Sequence, residues 1–234
     1  MFLYDTHVHT SECSACGKST VREMVRAYKE AGYSGFALTN HFFHGNSAVN
    51  RTDTTWRDFV QPYVDAYYEA CDEGAKCDFD VIFGIEEGVG NSKEMLCYNI
   101  DLDYLLNCEE MMRADRKRFI ELVHTGGGIV IHAHPFRFAP YMKSYVDPYF
   151  DDCDGIEIFN GNNRPDDANE KAYQAALSQG RKMIMTAGSD CHSAEGIRRV
   201  GLWLPNRVAN AAEFVEALKS GDYGFETENK MEIK

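Results

Sequence analysis

The sequence is short of basic residues. Its 24 Lys and Arg stand against 37 Asp and Glu in 234 residues, a formal net charge of −13. A protein that coats nucleic acid needs a basic face, so no stable nucleic-acid partner is expected. No run of about 18 apolar residues exists, which excludes a membrane-spanning helix. Asp5, His7 and His9 stand near the start, where a secretory signal needs an apolar core, and this points to the cytoplasm. No Gly-x-Gly-x-x-Gly follows the first apolar segment, so a dinucleotide-binding sheet is not expected. Cys13-x-x-Cys16 has no second Cys-x-x-Cys and no thioredoxin-like surroundings, which leaves it weak as a zinc or redox motif. The 8 cysteines are read as reduced and mostly buried, because the chain is long and carries no export signal. Repeats, low-complexity tracts and linkers are absent. With 44% hydrophobic residues, positions 1–234 read as one domain able to bury a full core.

Short apolar runs alternate with amphipathic stretches. Phe2 to Val8 reads as a strand. Lys18 to Gly32 reads as a helix, with Val21, Met24, Val25 and Tyr28 on one face. Further strands are expected at 35–39, 79–85, 129–131, 155–159, 183–187 and 200–204, with a strand or edge at 95–102. Helices are expected at 56–74, 109–124, 166–180 and 211–219, and residues 138–150 read as irregular. Strand followed by helix, repeated along one domain, implies a parallel sheet, either a (β/α) barrel or an open doubly wound sheet. Polar clusters follow the strands at 40–41, 86–87, 132–135, 160–163 and 188–192, where both architectures place function. A barrel brings all these ends to one rim, whereas an open sheet separates most of them.

His7 and His9 flank one valine, so on a strand both imidazoles face one spot. Nitrogen ligands so placed suit a divalent metal. Together with His41, Glu86, His134, Asp190 and His192 they form a set too large for one tetrahedral ion and suited to two or three ions. Glu86 is the natural bridge between them. Paired metals hold a hydroxide and clamp the oxygens of an in-line displacement, which is the chemistry of phosphoester hydrolysis. Strand alternation lets either Glu86 or Glu87 face the rim, and Glu86 is favoured. His134, fixed by Pro135, is favoured over His132, which is read as a supporting or core residue. His44 and His124 read as surface groups.

His7-x-His9-Thr10, Thr39-Asn40-His41, Gly84-x-Glu86, Ala133-His134-Pro135 and Gly188-Ser189-Asp190-x-His192, in that order, resemble the PHP superfamily, the polymerase and histidinol phosphatase domain. The stretch Gly155 to Gly161 is similar to the segment before the last metal motif in small bacterial members. The resemblance implies a distorted (β/α)7 barrel with a metal site at the C-terminal ends of the strands. It also implies a trinuclear Zn, Mn or Fe centre and phosphoesterase activity. Carried over by position, His7, His9, Glu86 and Asp190 resemble the ligands of one metal. Glu86 and His134 resemble those of a second, and His41 and His192 those of a third. Where the family has His or Asp shortly after His9, this chain offers Glu12 or a cysteine. Where it has a His after the Gly-x-Glu strand, this chain offers Glu94 or Cys97. Asn40 stands where the family often has Asp.

Arg137 and Arg198 lie near these motifs and are candidate phosphate contacts, since a guanidinium binds phosphate bidentately. The expectation is a metal-dependent phosphoesterase acting on a small phosphorylated metabolite or nucleotide, with Asp190 and Glu86 as catalytic carboxylates. The rival readings are a non-catalytic metal- or nucleotide-binding module and a 3'-5' exonuclease-like phosphodiesterase.

Overall fold

The computed structural model describes residues 1–140 and 142–228. Helix α1 (Val21–Glu30) begins at Thr20, whose hydroxyl accepts the Glu23 N–H while the Glu23 carboxylate accepts the Thr20 N–H. This reciprocal cap satisfies two donors that the first turn leaves over. The helix then buries Val21, Met24, Val25 and Tyr28, the stripe its spacing announces. Thr55 starts the longer α2 (Trp56–Cys77) in the same way, accepting from Asp58 N–H, and Asp78 ends it in the left-handed conformation.

The strands are β1 (Phe2–Val8), β2 (Gly35–Leu38), β3 (Asp80–Gly88), β4 (Glu94–Tyr98), β5 (Ile129–Ala133), β6 (Gly155–Asn160), β7 (Ile184–Gly188), β8 (Gly201–Leu204) and β9 (Gly224–Glu226). They form one sheet in the order β7-β6-β5-β4-β3-β2-β1-β8-β9. β1, β2 and β3 are parallel, and so are β5, β6 and β7, while β4 runs antiparallel to both neighbours. The N-terminal half of β1 pairs with β8. Its C-terminal end instead meets the chain just past β7, where Asp190 N–H donates to His7 O and His9 N–H donates to Cys191 O, each 2.9 Å. β1 thus splits between two neighbours, and β1 to β7 curl into a barrel that closes only at the rim carrying the polar residues.

Helix α6 (Ala211–Ser220), which follows α5 (Ala168–Leu177) in the chain, contacts both β3 and β7, on well-separated parts of the ring. Its Phe214, Val215 and Leu218 join Tyr4, Ala37, Ile82, Leu96, Tyr98 and Ile131 in one buried cluster. One end of the barrel is filled by side chains, and the other is left for polar groups. A larger apolar layer packs α1 and α2 against the outside of β1 to β3.

The distorted seven-stranded barrel is present, with three differences from the expectation. Among the described residues the sheet has nine strands, because β8 and β9 extend it beyond β1. The helix expected over 109–124 is broken: a 3₁₀ turn covers Glu109–Arg113, and α4 (Arg116–Thr125) restarts at Asp115, whose carboxylate accepts the Arg118 N–H. The expected edge at 95–102 stops at Tyr98. Asn99 turns with φ of 60°, and Asp101 caps the short helix α3 (Leu102–Asn107).

Candidate metal centre

Side chains from the ends of six strands meet at the open rim. Their ligand atoms fall into four overlapping sets, each within 4.8 Å: His7, His134 and Asp190; His7, His9 and Glu86; His41, Glu86 and Glu94; and His9, His41 and His192. Glu86 sits at the middle. Its Oε1 lies 3.2 Å from His7 Nε2 and 2.9 Å from His134 Nε2. Its Oε2 lies 3.4 Å from His9 Nε2 and 2.7 Å from His41 Nδ1. Glu94 stands 3.6 Å from His41 Nδ1 and 3.5 Å from His134 Nε2. Asp190 Oδ1 is 3.6 Å from His7 Nε2 and 3.3 Å from His9 Nε2.

The buried partners behind these groups fix which atoms face inward. Glu157, in the middle of β6, places Oε1 2.9 Å from His7 Nδ1, and its Oε2 accepts the His134 N–H at 2.9 Å. An ionised carboxylate only accepts, so His7 Nδ1 carries a proton. Asn40 Oδ1 accepts from Thr10 N–H at 2.7 Å and from the Ser14 hydroxyl at 2.8 Å. Having given its proton to Asn40, Ser14 Oγ accepts from His9 Nδ1 at 3.2 Å. The lone pairs of His7 Nε2 and His9 Nε2 are therefore turned to one another across 3.0 Å. Among the described residues, His41 Nδ1 and Glu86 Oε2, although 2.7 Å apart, have no aligned hydrogen-bond partner. Buried polar atoms are normally satisfied. Facing lone pairs and two orphaned acceptor-type atoms are what a cation between them would resolve, so the donor set fits divalent metal.

The electrostatics point the same way. Burial disfavours charge on His7, but the carboxylates of Glu157, Glu86 and Asp190 outweigh it and hold the imidazole well above its usual range. His9 is driven well below that range by burial and by the neighbouring His41 and His192. Burial raises Glu86, yet His7, His41 and His134 pull it well below the ordinary carboxylate range. Burial raises Asp190 too, and Arg137 with His7 and His9 reverses the effect. Glu94 is raised by burial and by Glu86. The site favours positive charge at the imidazole cluster, where proton and metal compete for the same lone pairs.

Backbone geometry at the site is unusual. His134 (φ 26°) and Asp190 (φ 57°) both lie in the left-handed region that such residues seldom adopt. Gly188 makes room beside them. A Cβ there would come within 2.4 Å of His7 Cβ and 2.8 Å of Glu157 Oε1.

Of the residues expected from sequence, His7, His9, His41, Glu86, Glu94, His134, Asp190 and His192 are brought together. Glu12 is not. Its Oε1 accepts the Val21 N–H at 2.9 Å, so the carboxylate serves the start of α1. Glu87 points away from Glu86 and holds His44, 2.6 Å from its Nδ1. His132 packs among Tyr149 and Phe150, and burial depresses it to about 3, a neutral core residue. Arg137 reaches Asp190 Oδ2 at 2.5 Å and Asn160 Oδ1 at 2.8 Å and also lines the cavity over the cluster. Arg198 is tied to Gly161 O at 2.5 Å, in a recess beside His192.

Sequence reasoning missed Glu157 and Ser14, and offered Cys16 only as one of the cysteines after His9. Glu157 had a signal, a lone carboxylate inside the apolar run Gly155–Phe159. Cys16 lines the cavity over the cluster beside His41 and His192. Burial opposes its ionisation, but those two histidines bring it down to about 6.

A cavity of about 560 Å³ opens over the cluster, lined by Cys16, His41, Lys93, Glu94, Arg137, Asp190 and His192 among others. Lys93 is buried and donates to Pro135 O at 2.7 Å. Among the described residues no helix is long and apolar enough to cross a membrane.

Comparison with known proteins agrees with this geometry. A model of the PHP domain matches residues 5–189, and a model of the PHP-associated region matches 166–223. No curated protein matches the sequence. The chain superposes on a two-domain protein from Bacteroides vulgatus containing a predicted PHP-like metal-dependent phosphoesterase, with TM-score 0.69 and 16% identity, over 96% of this chain and 64% of that one. It thus spans just under two thirds of that protein. It superposes on a proposed metal-dependent phosphoesterase from Bifidobacterium adolescentis, with TM-score 0.61 and 15% identity, over 92% and 95% of the two chains. A lesion-specific endonuclease from Pyrococcus furiosus gives TM-score 0.56 and 12% identity, over 96% and 57%. At such identities the likeness is one of fold. The family match over most of the chain goes further: this chain belongs to the PHP domain family.

Proposed function

We propose that the chain is a metal-dependent phosphoesterase, a single catalytic unit over positions 1–234, acting on a small phosphorylated metabolite or nucleotide. One observation carries the reading: Glu86 lies within 3.4 Å of four imidazoles and spans them with both carboxylate oxygens. His7, His9, His41, Glu86, Glu94, His134, Asp190 and His192 would hold two or three divalent ions of the Zn, Mn or Fe kind. Such ions supply charge neutralisation for phosphate and acidify water.

The protein's own groups do the rest. Glu157 and Ser14 keep His7 and His9 in the tautomers that turn Nε2 inward. Arg137 keeps Asp190 ionised and oriented, ready to accept a proton from an attacking water. The same guanidinium and the Lys93 ammonium place positive charge on the cavity wall for a phosphate. The cavity suits a small substrate, and eight free cysteines suit a reducing cytoplasm.

The test is a metal count followed by a phosphatase panel. His9→Ala and Asp190→Ala should lose metal and turnover of an aryl phosphate while keeping their far-UV spectrum. Wild-type turnover that survives exhaustive chelation sinks the proposal. One metal or none, with no ester cleaved, favours a non-catalytic binding module. Cleavage of a DNA strand with no turnover of small esters favours the nuclease reading.

A further inference from the structure

Several rings of the segment after β5 serve packing. Phe136 meets Phe150, and Phe150 and Tyr149 flank the buried His132. Phe138 and Tyr145 do not join them. They are 44% and 42% exposed, and their rings meet nearly at right angles with centroids 6.1 Å apart. Both are held in place. Phe138 N–H donates to Arg164 O at 2.7 Å. Ala139 and Met142 close a tight turn behind it, with Met142 N–H donating to Ala139 O at 2.9 Å and Ala139 N–H lying 3.2 Å from Met142 Sδ. Lys93 Nζ, anchored to Pro135 O, stands 5.0 Å from the centre of the Tyr145 ring, an attractive cation–ring distance. Lys93, Met142 and Arg137, the residue before Phe138, line the cavity over the cluster. The two rings thus form a ledge continuous with that cavity's cationic wall. Single exposed apolar residues are ordinary, but adjoining rings beside a polar cavity mark a contact surface. Perpendicular rings leave a corner where a third ring stacks on one face and meets the edge of the other.

We infer that Phe138 and Tyr145 seat a planar ring carried by the alcohol part of the substrate. The inference rests on the phosphoesterase reading above and narrows its substrate class. Phosphate esters of ring-bearing alcohols, heterocyclic or aryl, are selected over ring-free sugar and open-chain phosphates. The phosphate is held over the cluster, with Arg137 and Lys93 on the wall beside it, and the ring lies outward on the ledge. Stacking needs only a flat π face, so the ledge selects for a ring and not for the hydrogen-bonding pattern of its edge. Neither side chain belongs to the group of residues around the reacting phosphate. Their contribution is therefore uniform binding, which appears in KM and not in kcat.

Steady-state kinetics of the metal-loaded protein test this on matched esters: adenosine 5'-monophosphate and phenyl phosphate, which carry a ring, and ribose 5-phosphate and glycerol 3-phosphate, which do not. The wild type should have the higher kcat/KM on the ring-bearing pair. Phe138→Ala and Tyr145→Ala should raise KM for that pair by about 5- to 100-fold, the range of one lost stacking contact. Their kcat, and all constants for the ring-free pair, should stay as in the wild type. Tyr145→Phe keeps the ring and should keep the wild-type KM. Variants that lose the four esters alike show that the rings serve only the loop's structure, and the inference falls. A wild type that cleaves esters without favouring the ring also overturns it and leaves the phosphoesterase reading standing. A metal-loaded wild type that cleaves no phosphoester overturns that reading and this inference with it.

Discussion

His7 and His9 turn their Nε2 atoms toward each other at 3.0 Å, while each commits its Nδ1 to a buried acceptor, Glu157 and Ser14. Without a cation, one of them must take a proton or both lone pairs repel. A divalent ion relieves this in the folded state and has no comparable site in the unfolded chain. Zinc or manganese at about a hundred times its dissociation constant should then stabilise the protein by about 2.7 kcal/mol. Thermal unfolding with added metal and with chelator measures it. Identical melting under both conditions would mean that the cluster binds nothing.

Glu157 touches two residues of the centre at once, His7 through its side chain and His134 through its backbone. Glu157→Gln keeps the volume but removes the charge that fixes His7 Nδ1 as a donor. Partners behind a metal ligand typically govern about 10- to 100-fold in affinity. A zinc competition assay against a chromophoric chelator should show a loss in that range. An affinity equal to the wild type would exclude Glu157 from any supporting role.

How much of this was legible in the residues follows from where the information lies. His7, His9, His134 and Asp190 could be read because each sits at a strand end with a local pattern of its own. Strand alternation allowed only one of Glu86 and Glu87 to face the rim, and the His44–Glu87 pair accounts for the other carboxylate. That Glu12 turns from the cluster had no such local signal, because it depends on the Val21 N–H at the start of α1. Asn40 stands where the family often has Asp, and its amide oxygen orients His9 through Ser14. The break after Arg113 was missed because Asp115 looks like one more charge on a charged helix until its carboxylate is seen capping Arg118 N–H. β9 is three residues long and partly exposed, too short for any periodicity to show.

Gly188 lies where β7 passes behind His7. A methyl group there would stand 2.4 Å from His7 Cβ and 2.8 Å from Glu157 Oε1, closer than packed atoms allow. His7 is fixed on both sides, so the strain cannot be relieved by a rotamer change. Gly188→Ala should cost about 1–3 kcal/mol in urea unfolding, as other overpacked cores do. It should also weaken metal binding, because His7 and Glu157 must part. Unchanged stability with unchanged metal affinity would show that β7 can retreat freely from β1.

The pair His124–Asp154 lies away from the centre and should govern part of the pH dependence of stability. His124 Nε2 lies 2.8 Å from Asp154 Oδ2. The hydrogen bond to Asp154 raises His124, with burial opposing. Asp154 is pushed up by burial but held below its usual range by His124 and the Val130 N–H. A histidine raised on folding contributes stability fully below its unfolded pKa of about 6.5, and that share is lost as pH rises through the folded value. A lowered aspartate contributes above its unfolded pKa of about 3.9 and loses its share as pH falls through the folded value. The pair therefore stabilises most between those two limits. Both side chains are more than a third or about a third exposed, so solvent screening limits the effect to about 0.2–1 kcal/mol. Urea unfolding of the wild type and His124→Gln should differ by that amount near about pH 5.5 and converge near about pH 9. A difference that grows toward alkaline pH would reverse the assignment and mark His124 as stabilised in its neutral form.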